Sequence, residues 1–301
     1  MSDNLKVTDE ILAKAKLIQT KANFLVNDLF SGEYTSTFRG RGIEFEEVRE
    51  YLEGDDVRNI DWKVSARAQK TYVKVYKDER ELTLFFVVDV SGSALFGSGK
   101  KTKEEVIAEI TALLSYAAQK NNDKVGLVIF SDDVEHYIPP GKGRSHIWKI
   151  IRDILNFIPK SRGTNISKAL DFVSKVRKRR SVVFVISDFI GTEFDKSFGA
   201  LCSRHEVIAV QVVDPMEIDF PKIGHVFFRD LESKKSLIVD TRHHEVSTAM
   251  KETSTNRENR IIDLCRRNKS EYLKIQTSDD YLNLIVKFFL QKSSFNRGRK
   301  R

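Results

Sequence analysis

Five oxygen-bearing side chains in this chain have types and spacing that suit a divalent cation, and four of them lie just after apolar runs. Asp89, Ser91 and Ser93 occupy alternate positions at the end of one apolar run. Alternate residues of an extended segment point to the same side, so these three are expected to line one side of an ion. Thr164 follows a glycine, and Asp188 follows a second apolar run. Because carboxylates and hydroxyls are hard oxygen donors, the set predicts bound Mg²⁺, or another divalent cation such as Mn²⁺ or Ca²⁺.

The elements that must position these residues alternate between apolar strands and amphipathic helices. Strands that are apolar on both faces and separated by helices are typical of a parallel sheet covered on both sides. The predicted fold is therefore α/β, a doubly wound and mostly parallel sheet. Ligands of such sheets bind outside the carboxyl ends of the strands, so the five candidates are expected to meet at that edge, the carboxyl rim. The predicted strands are Leu82–Val88, Val125–Phe130, Val182–Ile186 and Val207–Val213.

Further elements flank this sheet. The alternating segment VEHYIPP, residues 134–140, predicts an edge strand because its prolines cannot donate backbone hydrogen bonds. Isoleucines at helical spacing predict a helix whose apolar face extends to Ile158. Residues 225–241 predict a hairpin of unassigned role, and a long helix is expected over about residues 244–267.

The first eighty residues are different in character. A helix is predicted from about Thr8 to Leu29, and a loop is predicted over residues 31–42. The strictly alternating segment TYVKVYK predicts a half-exposed strand. We therefore expect an N-terminal helical and charged extension over residues 1–80 and the main domain over 81–291, followed by a basic flexible tail over 292–301.

Composition and charge narrow the function classes. Hydrophobic residues make up 41% and charged residues 31% of the 301 residues, which favours a folded soluble protein. With no bilayer-length apolar stretch and no apolar signal region near the start, a cytoplasmic location is expected, with Cys202 and Cys265 reduced. The net charge is +8, partly because the last ten residues hold five basic groups, and such a tail more often is a solvated end than a specific nucleic-acid contact.

The motifs around the five candidates resemble a known family. VVDVSGS, GTN and SDF are similar in order and spacing to the three loops of the metal-ion-dependent adhesion site of a von Willebrand factor type A domain. The upstream segment EFEEVREYLEGDDVRNIDWKVSAR resembles the signature of the bacterial domain of unknown function 58 family, which couples such a segment to a von Willebrand-like domain. The resemblance implies that the metal is held by five residues: Asp89, Ser91, Ser93, Thr164 and Asp188.

The same resemblance implies a function. It points to a non-enzymatic, Mg-dependent protein–protein interaction module that works with a MoxR-type AAA+ ATPase in assembling or activating other proteins. An Asp or Glu of that ATPase, or of its client, is expected to complete the metal shell. Some relatives have membrane helices, and no such segment is visible in this sequence.

The charged upstream segment has two interpretations, which stay open at this stage. In one, its aspartates form a turn, its tryptophan is packed, and its arginines pair with nearby acids. In the other, the segment is a partner-binding surface with tryptophan and arginine as anchors. The residues concerned are Asp55, Asp56, Arg58, Asp61, Trp62 and Arg67.

The sequence also suggests three other functions, of which the first is disfavoured. A phosphate-binding loop is disfavoured because Ala94 stands where its first glycine should be and Lys101 where its hydroxyl should be. A weak phosphohydrolase with Asp89 as nucleophile, and a non-specific nucleic-acid binder acting through the basic tail, are the alternatives. Each metal candidate alone would more often cap a helix or a turn than bind a metal, and their joint position favours the metal.

Overall fold

The computed structural model of the chain describes residues 44–77, 82–191, 193–229 and 236–298. The helix predicted from Thr8 to Leu29 and the loop predicted over 31–42 lie outside these ranges. The described strands are β1 Glu44–Glu50, β2 Tyr72–Lys77, β3 Thr83–Asp89, β4 Lys124–Phe130, β5 Val134–Gly141, β6 Val182–Ser187, β7 Glu206–Val213, β8 His225–Arg229, β9 Ser236–Asp240 and β10 Glu271–Gln276. The described α-helices are α1 Trp62–Ala68, α2 Lys103–Lys120, α3 Arg144–Leu155, α4 Ile166–Val176, α5 Asp195–Cys202, α6 Pro215–Ile218, α7 His244–Arg267 and α8 Tyr281–Gly298.

Six strands form the main sheet in the spatial order β10-β7-β6-β3-β4-β5. All neighbouring pairs are parallel except β4 and β5, which are antiparallel. The predicted edge strand is confirmed as β5, which contains Pro139 and Pro140 and has β4 as its one neighbour in the six-stranded sheet. Counted along the chain, the six strands follow the order 3-2-1-4-5-6, which is that of a doubly wound sheet.

Helices cover both faces of this sheet, which confirms the predicted fold class. On one face α2, α3 and α8 pack on the strands through residues such as Val106, Ile147 and Ile285. On the other face α4, α5 and α7 pack through residues such as Leu170 and Phe198. Both faces of the central strands are therefore apolar, which explains why each strand reads as a continuous apolar run.

The order in which strands are added to the sheet reverses between β3 and β6, which are its first and fourth strands along the chain. These strands are hydrogen-bonded neighbours, and the chain leaves them toward opposite edges of the sheet. The crevice at such a switch point is where doubly wound sheets bind ligands. Asp89 ends β3 and Asp188 directly follows β6, so both carboxylates lie at this crevice.

Two helix ends differ from the sequence-based expectation. The helix α3 ends at Leu155, and Ile158 is 85% exposed rather than part of its apolar face. The helix α8 continues to Gly298, past residue 292, where a flexible tail was expected to begin. The ammonium of Lys292 pairs with the carboxylate of Glu206 at 2.5 Å, so the start of the basic segment is anchored to β7.

Two small antiparallel sheets stand apart from the main one. One is the pair of β1 and β2, which lies in the predicted extension. The alternation of TYVKVYK predicted β2, whereas β1 was not predicted. The pair β8 and β9 confirms the predicted hairpin, with Phe227 opposite Ile238. Within the described ranges, no helix combines the length and apolar character that crossing a bilayer requires.

Candidate metal centre

The strand β3 delivers a buried carboxylate and a pair of serines to the carboxyl rim. Asp89 is 2% exposed, and its Oδ1 accepts a hydrogen bond from the backbone N–H of Ser91 at 2.9 Å. The hydroxyls of Ser91 and Ser93 lie 3.1 Å apart. Ser91 precedes the 3₁₀ turn Gly92–Leu95, yet its side chain makes no capping hydrogen bond to that turn. Capping therefore does not account for the position of the serine pair.

The loop that carries Thr164 is fastened to this segment. The backbone N–H of Gly92 donates to the carbonyl of Arg162 at 2.7 Å, and that of Asn165 donates to the carbonyl of Ser131 at 2.8 Å. Asn165, not Thr164, caps the helix α4 with its side chain. Thr164 is buried and directly precedes this capping residue.

The third loop brings Asp188 to the same rim. Asp188 is buried, and its Oδ1 accepts a hydrogen bond from the backbone N–H of Ile190 at 3.0 Å. Gly191 has φ +143°, and a Cβ there would lie 3.4 Å from the Cβ of Thr164. The loop after β6 thus contacts the loop that carries Thr164, and the structure brings all three predicted loops together.

Sequence reasoning missed Ser187, the last residue of β6. Its hydroxyl donates to Oδ2 of Asp89 at 2.5 Å and accepts from the backbone N–H of Phe189 at 2.9 Å. Phe189 has φ +57°, a left-handed conformation that is uncommon outside glycine. Ser187 therefore joins the ends of β3 and β6, and it was overlooked because it reads as part of the strand.

The electrostatics of the rim favour a cation. The pKa of Asp89 is raised from 3.8 to about 7, mainly by burial and next by the nearby charge of Asp188, while hydrogen bonds from Ser187 and Ser91 act to lower it. Two buried carboxylates at one site repel each other when both are ionised. A positive charge between them relieves that repulsion, which is what a bound divalent ion would supply.

The structure already holds one positive charge at this rim. Lys103, the first residue of α2, is 1% exposed, and its Nζ lies 2.7 Å from Oδ2 of Asp188 and 2.6 Å from Oε1 of Glu217. Burial lowers the pKa of Lys103, but the charges and hydrogen bonds of the two carboxylates outweigh this, and the pKa is raised above 10.5. Sequence reasoning missed this contact because Lys103 lies 85 positions from Asp188.

The donor set fits a hard cation that keeps water. In the part of the chain that the structure describes, no group of three His, Cys, Asp or Glu side chains that could hold a metal is present. An ion at the rim would therefore rely on hydroxyls and water beside its carboxylates. This suits Mg²⁺, which usually binds through one or two carboxylates and retains several waters.

A second polar network fixes the loop between the serine pair and α2. Asp214, which directly follows β7, is fully buried and accepts hydrogen bonds from the side chain of Ser98 and from the hydroxyl of Thr277, the latter at 2.8 Å. Burial raises the pKa of Asp214, but the hydrogen bonds from Ser98, Met216 and Thr277 hold it below its usual value. The carboxyl end of β7 thereby holds the loop from which Lys103 enters the rim.

In the charged upstream segment, the aspartates cap turns and a helix or form an ion pair, and the neighbouring apolar side chains are exposed. Asp55 makes a two-pronged pair with Arg49, with distances of 2.8 and 2.7 Å. Asp56 accepts from the N–H of Arg58, and Asp61 caps the helix α1. These contacts agree with the turn interpretation for the aspartates.

The remaining residues of that segment do not follow the packed interpretation. Trp62 is 71% exposed, so the interpretation in which it is packed is wrong. It begins a helix whose residues are all at least partly exposed, so the side chain has no core to enter. Arg58 and Arg67 form no ion pair with the residues described here. Leu52 and Val57 are also exposed, each 63%, and the name lobe surface refers to these two residues and Trp62.

Comparison with known proteins identifies the family. The model described as "Protein of unknown function DUF58" matches residues 47–260, so the chain belongs to the DUF58 family. The uncharacterized protein Rv1480 of Mycobacterium tuberculosis is 28% identical over 227 residues, covering 74% of this chain and 72% of that protein. The uncharacterized protein YeaD of Bacillus subtilis is 29% identical over 107 residues, covering 36% of this chain and 25% of that protein.

Solved structures give weaker similarities. The conserved hypothetical protein BatB from Bacteroides thetaiotaomicron is 17% identical with a TM-score of 0.47, covering 71% of this chain and 98% of that chain. An aerotolerance-related membrane protein from Bacteroides fragilis is 18% identical with a TM-score of 0.48 and the same coverage. These scores are too low to carry an argument, so the fold assignment depends on the strand order.

Proposed function

We propose that this DUF58 protein is a non-enzymatic module that binds a partner protein through a divalent cation, Mg²⁺ in the first instance. Asp89, Ser91, Ser93, Thr164 and Asp188 would hold the ion, partly through water. The observation that supports this most directly is the serine pair beside Asp89, with hydroxyls 3.1 Å apart and no capping role for Ser91.

The partner supplies the remaining ligand. With only two carboxylates among the five proposed ligands, a divalent ion retains positive charge and room for another hard oxygen. A carboxylate from an Asp or Glu of a second protein meets both requirements. We propose that the partner is a MoxR-type AAA+ ATPase or its client, and that the complex assembles or activates other proteins in the cytoplasm.

The test is affinity capture from a lysate with the full chain as bait. We expect an AAA+ ATPase to be retained with Mg²⁺, to be released by chelator, and to be absent when the bait is Asp89→Ala. The matched control is Asp263→Ala on the exposed surface of α7, which should retain the ATPase. Binding that ignores chelator, or that survives Asp89→Ala in a folded bait, would contradict the proposal.

Direct metal binding is measured separately. Titration of Mn²⁺ followed by electron paramagnetic resonance should show one site that Mg²⁺ displaces and that Asp89→Ala removes. Turnover of a phosphate ester that requires Asp89 would instead support a hydrolase. Circular dichroism of Asp89→Ala confirms that any loss occurs in a folded protein.

A further inference from the structure

Lys103 stands in direct contact with a residue assigned to the metal. Its ammonium is 2.7 Å from Oδ2 of Asp188, while Oδ1 of Asp188 accepts the N–H of Ile190. A buried ammonium is too costly to keep without carboxylate partners, and Lys103 has two of them. This lysine is therefore an internal counter-ion of the rim rather than a solvated side chain near it.

An ion that binds beside Asp188 meets this charge at close range. Like charges repel more strongly where water is excluded, and Lys103, Asp89 and Asp188 are all buried. Lys103 also neutralises part of the negative charge that would attract the ion. Both effects act in the same direction, because each lowers the affinity of the rim for a divalent cation.

Glu217 acts in the opposite direction through the same lysine. Its Oε1 lies 2.6 Å from Nζ of Lys103, and its Oε2 accepts the backbone N–H of Asp214 at 3.2 Å, so its position is fixed from both sides. A carboxylate so close to the ammonium offsets part of its positive charge. The repulsion between Lys103 and a bound ion is therefore reduced by Glu217, a residue that is not among the five metal candidates.

We propose that Lys103 is a positioning residue that limits the divalent-cation affinity of the carboxyl rim, and that Glu217 sets the extent of this limit. The proposal rests on the proposed function, since it concerns the same metal. Its consequence is that the ion binds weakly on its own and more tightly once a further carboxylate from the partner joins it. By linkage, the partner also binds more tightly when the metal is present.

The experiment measures Mn²⁺ and Mg²⁺ affinity of the full chain by isothermal titration calorimetry. Lys103→Met removes the ammonium and keeps the apolar length of the side chain, so the affinity should rise roughly tenfold. Glu217→Gln keeps the shape and one acceptor oxygen but removes the charge that offsets Lys103, so the affinity should fall roughly threefold or more. The two changes therefore have opposite signs.

The matched control is Lys101→Met, two positions earlier in the loop that leads into α2. Lys101 pairs with Glu109 at 2.6 Å and does not contact Asp188, so its removal should leave the affinity within about twofold. A structural role for the loop would move both lysine variants together. If Lys103→Met fails to fold, Glu217→Gln still decides the sign, because it leaves the ammonium in place.

The outcomes separate two kinds of failure. If the wild type and Asp89→Ala show the same affinity for Mn²⁺, the proposed metal function itself is wrong. If the wild type binds through Asp89 but Lys103→Met binds equally or more weakly, only the limiting role of Lys103 is overturned. Equal or tighter binding by Glu217→Gln would overturn it in the same way.

Discussion

The carboxyl rim and the lobe formed by residues 44–77 arrange their charged and apolar side chains in opposite ways. At the rim, Asp89, Lys103 and Asp188 are all buried, and the ammonium of Lys103 pairs with the carboxylate of Asp188. In the lobe, the charged residues cap turns in solvent while apolar residues such as Trp62 are exposed. Buried charges call for an opposite charge, and exposed apolar groups call for a covering surface. The rim is therefore suited to an ion and the lobe to a protein contact.

The two regions are also separate along the chain. The lobe ends at Lys77, whereas the buried charges of the rim all follow Thr83, where β3 begins. Sites that share no contact usually contribute additively to stability and binding. Substitutions in the two regions should therefore give distinct and separable effects, which the following predictions use.

The largest effect is expected when the buried ion pair is broken. In chelator, Lys103→Met leaves Asp188 buried without its ammonium partner, and the free energy of unfolding should fall by about 3–5 kcal/mol. Urea denaturation followed by circular dichroism measures this loss. Lys70→Met in the lobe breaks a pair with Glu50 whose members are 65% and 53% exposed, and its unfolding curve should overlay that of the wild type. Equal losses of stability in Lys103→Met and Lys70→Met would contradict the difference between the buried rim and the exposed lobe.

The second effect is a dependence of stability on pH that originates at Asp89. Its pKa is raised from 3.8 to about 7, mainly by burial, so the folded state keeps a proton that the unfolded state releases. The stability that this proton contributes is complete below pH 3.8 and is lost as the pH rises through about 7.

Asp89→Asn removes this titration and should flatten the pH dependence. In chelator, the wild type should lose on the order of 2–4 kcal/mol more than Asp89→Asn between about pH 4 and pH 8. Denaturant titrations at several pH values measure the difference. A wild type and variant with parallel pH profiles would show that the carboxylate of Asp89 is not held in its neutral form.

The sequence predicted the rim in outline because its donors follow strands. The alternation of Asp89, Ser91 and Ser93, and the run before Asp188, place these residues at one edge once the sheet is parallel. Lys103 was not predictable in this way. Its position depends on the loop that Asp214 holds through Ser98, and contacts between such distant positions leave no local pattern.

The lobe was predicted less completely, for two physical reasons. The alternation of β1 is interrupted by a bulge between Phe45 and Glu47, so the strand did not show as one in the sequence. The sequence left open whether Trp62 is packed or is a surface anchor, and the structure places it at the start of a short, exposed helix. A large apolar residue does not by itself indicate which side of an isolated helix is covered.

A third, intermediate effect concerns the contact between two rim loops. Gly191→Ala places a side chain at φ +143° against Thr164, and the free energy of unfolding should fall by about 1–2 kcal/mol. The affinity for Mn²⁺ should fall as well, because Asp188 precedes this glycine by three positions. Gly224→Ala is the control, since it has φ +104° with open space around it and lies outside the rim. Both variants should lose stability, and only Gly191→Ala should lose metal affinity.

The smallest effect on stability is expected at the lobe surface, where the effect on binding is informative. Trp62→Ala removes a side chain that is 71% exposed, so the free energy of unfolding should change by no more than about 0.5 kcal/mol.

If the lobe surface contacts the partner, capture of the AAA+ ATPase should weaken, because exposed tryptophans are frequent anchors of interfaces. Phe227→Ala, at a side chain 65% exposed on the hairpin, is the size-matched control and should not weaken capture. If the lobe and the rim bind the partner independently, the weakening by Trp62→Ala should be the same factor at saturating and at limiting Mg²⁺. A factor that changes with Mg²⁺ would mean that lobe and rim act as one site, and the contrast between them would fail.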